Sequence, residues 1–236
     1  MNKDYLPACC ASLDDHWPLP QQLPSLRLIG THFDPARLHD DDFNRCALQP
    51  VKGAAKRQTE YLAGRLCARE ALLQLTGTAA IPGVGEDRAP QWPAGTLGSI
   101  THGSGWAGAV VGHSADWRGL GLDIERIMPA SRAERLAAAI LTPAELLRLE
   151  GLSTEQRARR VSLTFSLKES LFKALYPQVL RYFYFQDAEL LSVTTDNKVR
   201  IRLLIDLHAD WPAGREFDGQ FVEFKDYLLS LVSIAR

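Results

Sequence analysis

The chain has 236 residues, 46% of them apolar, and a formal net charge of −1 from 27 Lys and Arg against 28 Asp and Glu. That is ample material for a large core or two small ones, and it excludes a global basic field for nucleic acid. Cys9, Cys10, Cys46 and Cys67 form no C-x-x-C pair, no basic leader opens the sequence, and no apolar run reaches the length of a membrane span. A cytoplasmic, monomeric protein with free thiols is expected, without a nucleic-acid partner or membrane span.

The first fifty residues are Pro-rich and irregular, with a strand expected over 26–31 and a short helix from Pro35. A long helix is predicted from Lys52 to Leu75. Ala55, Leu62, Leu66 and Leu73 recur at helical spacing, and Gly77 stands where a C-terminal stop belongs. Gly64 within it costs ~1 kcal/mol relative to Ala. Cys67 reads as a small buried residue of the same helix. Pro82, Gly83, Gly85, Pro90, Pro93 and Gly95 then mark a loop. Strands are expected at 96–101, 106–111 and 120–125, the first two joined by a turn at His102-Gly103-Ser104-Gly105.

Beyond Pro129, Ser131 with Glu134 and Thr142 with Glu145 match the S/T-x-x-E capping box, which places two helix starts. A further long helix is predicted from Thr154 to Tyr176, ending before Pro177. Strands at 189–194, 198–205 and 221–234 follow. Each half thus reads as a long helix followed by antiparallel strands, an α+β pattern of two subdomains over 1–117 and 118–236. A cleft at their seam is the natural place for a ligand.

Two acidic clusters stand out. On a strand, Asp123 and Glu125 share one face while Leu122 and Ile124 take the other. On a helix, Phe165, Glu169 and Lys173 share one stripe, with Lys168 adjacent. Singly, each has an ordinary explanation: strand acids pairing with Arg118 or Arg126, and a helical ion pair contributing ~0.3–0.5 kcal/mol. Together, three carboxylates and an ammonium suit a hard divalent cation carrying a phosphate.

Arg57, Tyr61, Arg65 and Arg69, spaced by four beside Lys56, read either as phosphate-binding guanidiniums or as a solvated face. Thr101 and His102 end a strand at a glycine turn, where His102 has a donor for a phosphate oxygen or is an ordinary turn residue. Arg88 and Trp92 offer a cation and an aromatic for a nucleobase, unless Trp92 covers the core. Arg157, Arg159 and Arg160 read chiefly as a solvated helix face, with attraction of an acidic partner helix as the other reading. Glu145 is a candidate general base, although its place three after Thr142 favours a cap. The sequence contains no G-x-x-x-x-G-K-[ST], G-x-S-x-G or H-E-x-x-H.

Four ordered segments carry a specific resemblance: Lys56–Arg65, Trp92–His102, Gly121–Glu125 and Phe165–Lys173. With them the chain resembles the 4′-phosphopantetheinyl transferases of the surfactin/enterobactin-synthetase type. The resemblance implies a pseudo-dimer of two similar α+β subdomains, each a long helix packed on a small antiparallel sheet. It implies Mg²⁺ (Mn²⁺ as a substitute) with coenzyme A in the seam, and transfer of phosphopantetheine to a serine of apo acyl or peptidyl carrier proteins with release of 3′,5′-ADP. Carriers of fatty-acid, nonribosomal-peptide and siderophore synthesis all fall within that class. By the same resemblance Asp123, Glu125 and Glu169 hold the metal, and Lys173 contacts the pyrophosphate. Thr101 and His102 meet the 3′-phosphate, and Arg57, Arg65 and Arg88 bind the nucleotide end. Glu169 is the first candidate to accept the serine proton and Glu145 the second. A non-catalytic module binding coenzyme A or carriers, and a metal-dependent hydrolase of coenzyme A or pantetheinylated carriers, are the alternatives.

Overall fold

The computed structural model describes residues 5–103 and 105–236. The chain divides into two compact units, one of residues up to Trp17 with Pro24–Ser114, the other of Pro18–Leu23 with Ala115–Arg236. Each is α+β.

In the first unit, residues 10–14 run antiparallel beside strand β1 (Leu26–His32) through bridges at Cys10–Phe33 and Asp14–Gly30. The helix expected from Pro35 is a 3-10 turn, Pro35–Arg37, capped by the Asp34 side chain, and a short helix α1 (Asp42–Arg45) follows. Helix α2 (Ala55–Thr76) ends on Gly77 at φ 73°, the left-handed conformation that favours glycine. The Pro- and Gly-marked loop contains a minimal hairpin, β2 (Gly83–Val84) with β3 (Pro90–Gln91). Strands β4 (Thr96–Gly103) and β5 (Trp106–His113) complete an antiparallel sheet of order β1-β5-β4. Gly103 pairs with Trp106, so their hairpin closes over two residues. Of those, Ser104 lies outside the described residues, and Gly105 has φ 81°.

Helix α2 packs on this sheet by a broad face of small residues. Ala63, Cys67, Ala68 and Ala71 are fully buried with Leu62 and Leu66. The predicted stripe is corrected at its end: Leu73 is 40% exposed and Leu72 is buried in its place. Gly64 explains its own cost, because a Cβ there would stand 2.7 Å from Ile100 Cγ2. The glycine lets the helix sit directly on β4.

The second unit begins with β6 (Trp117–Arg126), followed by α3 (Ala130–Ile140), α4 (Pro143–Leu147) and α5 (Thr154–Val179). Strands β7 (Ala188–Val193), β8 (Lys198–Leu203), β9 (Glu216–Phe224) and β10 (Tyr227–Ala235) then form, with β6, an antiparallel sheet of order β6-β10-β9-β8-β7. Leu167, Leu171 and Leu175 of α5 enter a core with Ile201, Leu203, Phe217 and Val232 of the sheet. Residues 18–23 are fastened to this unit by a reciprocal pair of hydrogen bonds between the Gln21 backbone and the Gln220 side-chain amide, at 2.8 and 2.9 Å.

Three sequence expectations are corrected here. The apolar run 221–234 is two strands, reversed at Lys225-Asp226 where Lys225 takes φ 54°. Helix α3 starts at Ala130 with Pro129 as its cap and no side-chain cap bond, so Ser131 is not the capping residue. Helix α5 runs through Pro177 to Val179. In the last turn, a proline forfeits only one helical N–H donor, and the left-handed Leu180 closes the end by bonding its N–H to the Tyr176 carbonyl. The second predicted box is present: Thr142 accepts from Glu145 N, and Glu145 accepts from Thr142 N.

Candidate active site

The site begins with two glycines. Gly119, Gly121, Asp123 and Glu125 alternate along β6 and so share one face. A Cβ on Gly121 would stand 1.7 Å from the Ser170 carbonyl oxygen, and one on Gly119 would stand 2.4 Å from that of Ala174. The backbone of α5 therefore lies directly on β6, antiparallel to it. Where the glycines end, the next residue on that face is Asp123, brought beside the helix that carries Glu169 and Lys173.

Asp123 is buried and committed on both oxygens. Its Oδ1 accepts from Lys173 Nζ at 2.7 Å, and its Oδ2 accepts from Ser166 Oγ at 2.8 Å. Lys173 also donates to the Leu122 carbonyl at 3.0 Å, which holds its ammonium over the strand. Burial and then the Asp123 charge push the Glu125 carboxyl up to about 7, against the opposing pull of Lys173. Glu169 is raised by the same two causes in the same order. Arg118 and Arg126, the possible partners of the strand acids, pair instead with Asp210 and Asp226. Glu125 and Glu169 therefore each feel the charge of Asp123 in weakly solvated surroundings, with Lys173 as the cation in contact with Asp123.

Among the described residues, no three acidic, His or Cys side chains are closed into a metal shell. The donor chemistry nevertheless fits a hard divalent cation. Three carboxylates would offer oxygen donors, and burial and then the Asp123 charge raise the pKa of two of them, a shift that a bound cation would oppose.

Lys168 and Glu145, neighbours of this cluster in the sequence reading, belong to a buried brace. The Lys168 ammonium donates to Glu145 Oε2 at 2.6 Å, the Ile140 carbonyl at 2.9 Å and the Phe185 carbonyl at 2.8 Å. Glu145 accepts in addition from Thr142 N and Leu190 N. Holding three donors at 5% side-chain exposure, its carboxylate is engaged within the fold, in keeping with the capping reading. Desolvation lowers the Lys168 pKa against the pull of Glu145. Beside the brace, Glu169, Phe172, Tyr182, Phe183, Tyr184 and Phe185 line a cavity of about 260 Å³.

The remaining candidates lie in the first unit. Arg57 is exposed on α2. Arg65 is 5% exposed, donates to the Pro82 carbonyl at 3.1 Å and lies over the Tyr61 ring, so the arginine stripe is not one solvated face. Arg88 is exposed at φ 70° in the β2–β3 loop. Thr101 is buried in β4, and His102 beside it places Nδ1 3.6 Å from the Glu60 carboxylate. Trp92 packs on the core of this unit. In the second unit, Arg159 is paired with Glu155 and Glu223. Sequence reasoning passed over Gly119, Ser166 and Ser230. The alternation of glycine ahead of Asp123 was a legible signal for the first, whereas the serines carry none.

A glycine-lined strand under a helix thus brings carboxylates and a lysine together where the two elements part. Comparison with known proteins gives the family. The model of the 4′-phosphopantetheinyl transferase N-terminal domain matches residues 49–112, and that of the 4′-phosphopantetheinyl transferase superfamily matches residues 119–232. Enterobactin synthase component D of Salmonella typhi is 32% identical over 224 residues, 94% of this chain and 91% of that protein. Its namesake from Escherichia coli O157:H7 is 41% identical over 148 residues, 60% of this chain and 67% of that protein. The 4′-phosphopantetheinyl transferase Svp of Streptomyces mobaraensis is 36% identical over 180 residues, 73% of this chain and 69% of that protein. The chain belongs to the 4′-phosphopantetheinyl transferase superfamily, enzymes that place phosphopantetheine on carrier proteins.

Proposed function

We propose that this enzyme takes its phosphopantetheine from coenzyme A, requires Mg²⁺, and releases 3′,5′-ADP as a carrier-protein serine becomes modified. What supports this reading is the Asp123–Lys173 contact at 2.7 Å, with burial and the Asp123 charge raising the pKa of both Glu125 and Glu169. Asp123, Glu125 and Glu169 would hold the cation, Mn²⁺ being an acceptable substitute for the same oxygen donors. When bound, the cation supplies positive charge to the oxygens of the pyrophosphate and so favours departure of the nucleotide.

Everything else falls to the chain's own side chains. Lys173 sits at the rim of the cluster, 28% exposed, and we assign its ammonium to the pyrophosphate. Glu169 we assign as acceptor of the serine proton. Burial and then the Asp123 charge raise its pKa above that of an ordinary carboxylate, which strengthens it as a proton acceptor. The aromatic cavity beside Glu169 suits the neutral pantetheine arm of the donor, which has amides and a thiol but no charge. Arg57, Arg88, Thr101 and His102 are assigned to the nucleotide end on the strength of the family motifs. The names of the relatives, enterobactin synthase component D among them, favour carriers of nonribosomal peptide and siderophore synthesis.

The test is intact-mass measurement of a purified apo peptidyl carrier protein incubated with the enzyme, coenzyme A and Mg²⁺. The reading predicts a gain of one phosphopantetheine, its loss on adding a chelator, and 3′,5′-ADP as the co-product. Glu169→Gln is expected to slow transfer by ~10²-fold or more with an unchanged circular-dichroism spectrum. Transfer that survives complete chelation would overturn the metal requirement, and an undiminished Glu169→Gln would overturn the base.

A further inference from the structure

Helix α5 carries four serines and threonines on its buried side, and they do two different things. Ser162 and Thr164 bond back to the carbonyls four residues earlier, Ala158 and Arg160, at 2.8 and 2.9 Å, and Ser162 also accepts from Met128 N at 2.8 Å. That is the usual resting place of a hydroxyl inside a helix. Ser166 and Ser170 instead reach across to the sheet. Ser166 Oγ contacts Asp123 Oδ2 at 2.8 Å and Ser230 Oγ at 2.8 Å. Ser170 Oγ contacts Ser230 Oγ at 2.8 Å and the Ser230 carbonyl at 3.1 Å. Ser230 lies on β10 directly opposite Asp123 in the antiparallel register.

All three serines are 0% exposed. Alanine would fill the same space without a polar atom to satisfy, so packing gives no reason for hydroxyls here. The proton order is fixed by chemistry. An ionised carboxylate only accepts, so Ser166 donates to Asp123. The Ser166 oxygen is then free to accept from Ser230, which leaves Ser230 Oγ as an acceptor for Ser170. The protons of Ser166 and Ser230 thus point toward Asp123, an arrangement in which each bond polarises the next, while Ser170 divides its single proton between the hydroxyl and the carbonyl of Ser230.

We propose that Ser170, Ser230 and Ser166 form a directed hydroxyl relay whose task is to hold the Asp123 carboxylate in the orientation that a bound cation needs. Pinning Oδ2 from behind leaves Oδ1, now facing Lys173, as the oxygen presented to the site. Ser166, Ser230 and Ser170 are positioning residues and touch no reacting atom. The inference rests on the reading of Asp123 as a cation ligand. Outer residues of this kind typically change metal affinity by ~10–100-fold when removed.

The experiment is Mn²⁺ binding to the full-length protein without coenzyme A or carrier, followed by electron paramagnetic resonance, for the wild type and for Ser166→Ala, Ser230→Ala and Ser170→Ala. The relay predicts dissociation constants that rise in the order Ser170→Ala, Ser230→Ala, Ser166→Ala, reaching ~10-fold or more for Ser166→Ala. In carrier modification the same variants are expected to need more Mg²⁺ for half-maximal rate while regaining most of the wild-type kcat at saturating Mg²⁺. A purely structural role would not produce that split. Thermal unfolding run alongside separates loss of fold from loss of affinity, and Ser230→Thr, which keeps the hydroxyl, is expected to bind Mn²⁺ as the wild type does. If the wild type binds Mn²⁺ and all three alanine variants match it within twofold, the relay is wrong and the metal reading stands. Should the wild type itself bind no Mn²⁺, both fall.

Discussion

Gly121 and Ser170 are in backbone contact: a methyl group on the glycine would lie 1.7 Å from the serine's carbonyl oxygen. This approach lays α5 on β6 and sets the depth at which Asp123 meets Ser166 and Lys173. Gly121→Ala is therefore expected to destabilise the protein by about 3 kcal/mol or more, since the contact is backbone on both sides and cannot be relieved by a rotamer. Urea unfolding measures this. A midpoint unchanged from wild type would show that helix and strand have room to separate.

Lys168 and Glu145 form a buried pair at 2.6 Å with side-chain exposures of 2% and 5%. Removing one charge leaves the other unpaired in the core, so Lys168→Met is expected to cost about 3–5 kcal/mol. Adding Glu145→Gln to that variant is expected to restore part of the loss, because the remaining charge is gone while the amide oxygen still caps a helix N–H. A denaturation double-mutant cycle reads the coupling, and strict additivity would contradict it.

Glu189 is gripped by Arg148 at 2.5 Å and Arg202 at 2.9 Å. Burial alone would raise its pKa, but hydrogen bonds from Arg202 and Arg148 outweigh that and hold it below the ordinary glutamate value of 4.5. A carboxyl whose folded pKa is depressed contributes stability above its unfolded pKa and loses that contribution as pH falls through the folded value. Wild type is thus expected to exceed Glu189→Gln by ~1 kcal/mol at pH 6, the partly exposed arginines limiting the gain. The two are expected to converge well below pH 4.5. Melting temperatures measured across that range check the sign.

Arg57 and Arg65, two turns apart on α2, should part company on mutation. Arg65 is 5% exposed and bonded to the Pro82 carbonyl, so Arg65→Ala is expected to destabilise the fold by ~1–3 kcal/mol through the unsatisfied carbonyl and lost packing on Tyr61. Arg57 is exposed, so Arg57→Ala is expected to leave the melting temperature unchanged and raise the KM for coenzyme A. Equal melting shifts in both variants would show that burial does not separate them.

Much of this arrangement was legible beforehand. Period-two alternation put Asp123 and Glu125 on one face of a strand, and the four-residue spacing put Glu169 and Lys173 on one stripe of a helix, as β6 and α5 show. The Thr142–Glu145 box was read from its spacing alone. Local rules failed where a distant partner decided the outcome. Leu73 fits the apolar spacing of α2 but faces solvent, because the sheet is met by the small residues one step round the helix. Pro177 reads as a stop yet lies within the final turn, where one missing donor matters little.

The sequence by itself determined the elements and the chemical types on their faces, since both follow from backbone periodicity and from side chains close along the chain. Tertiary structure alone decided which groups are neighbours. It made Glu145 the counter-ion of Lys168, and it joined Ser166, Ser230 and Asp123 across 43 to 64 residues of separation. Such contacts depend on how closely α5 can approach β6 and on which polar groups must satisfy one another once water is excluded.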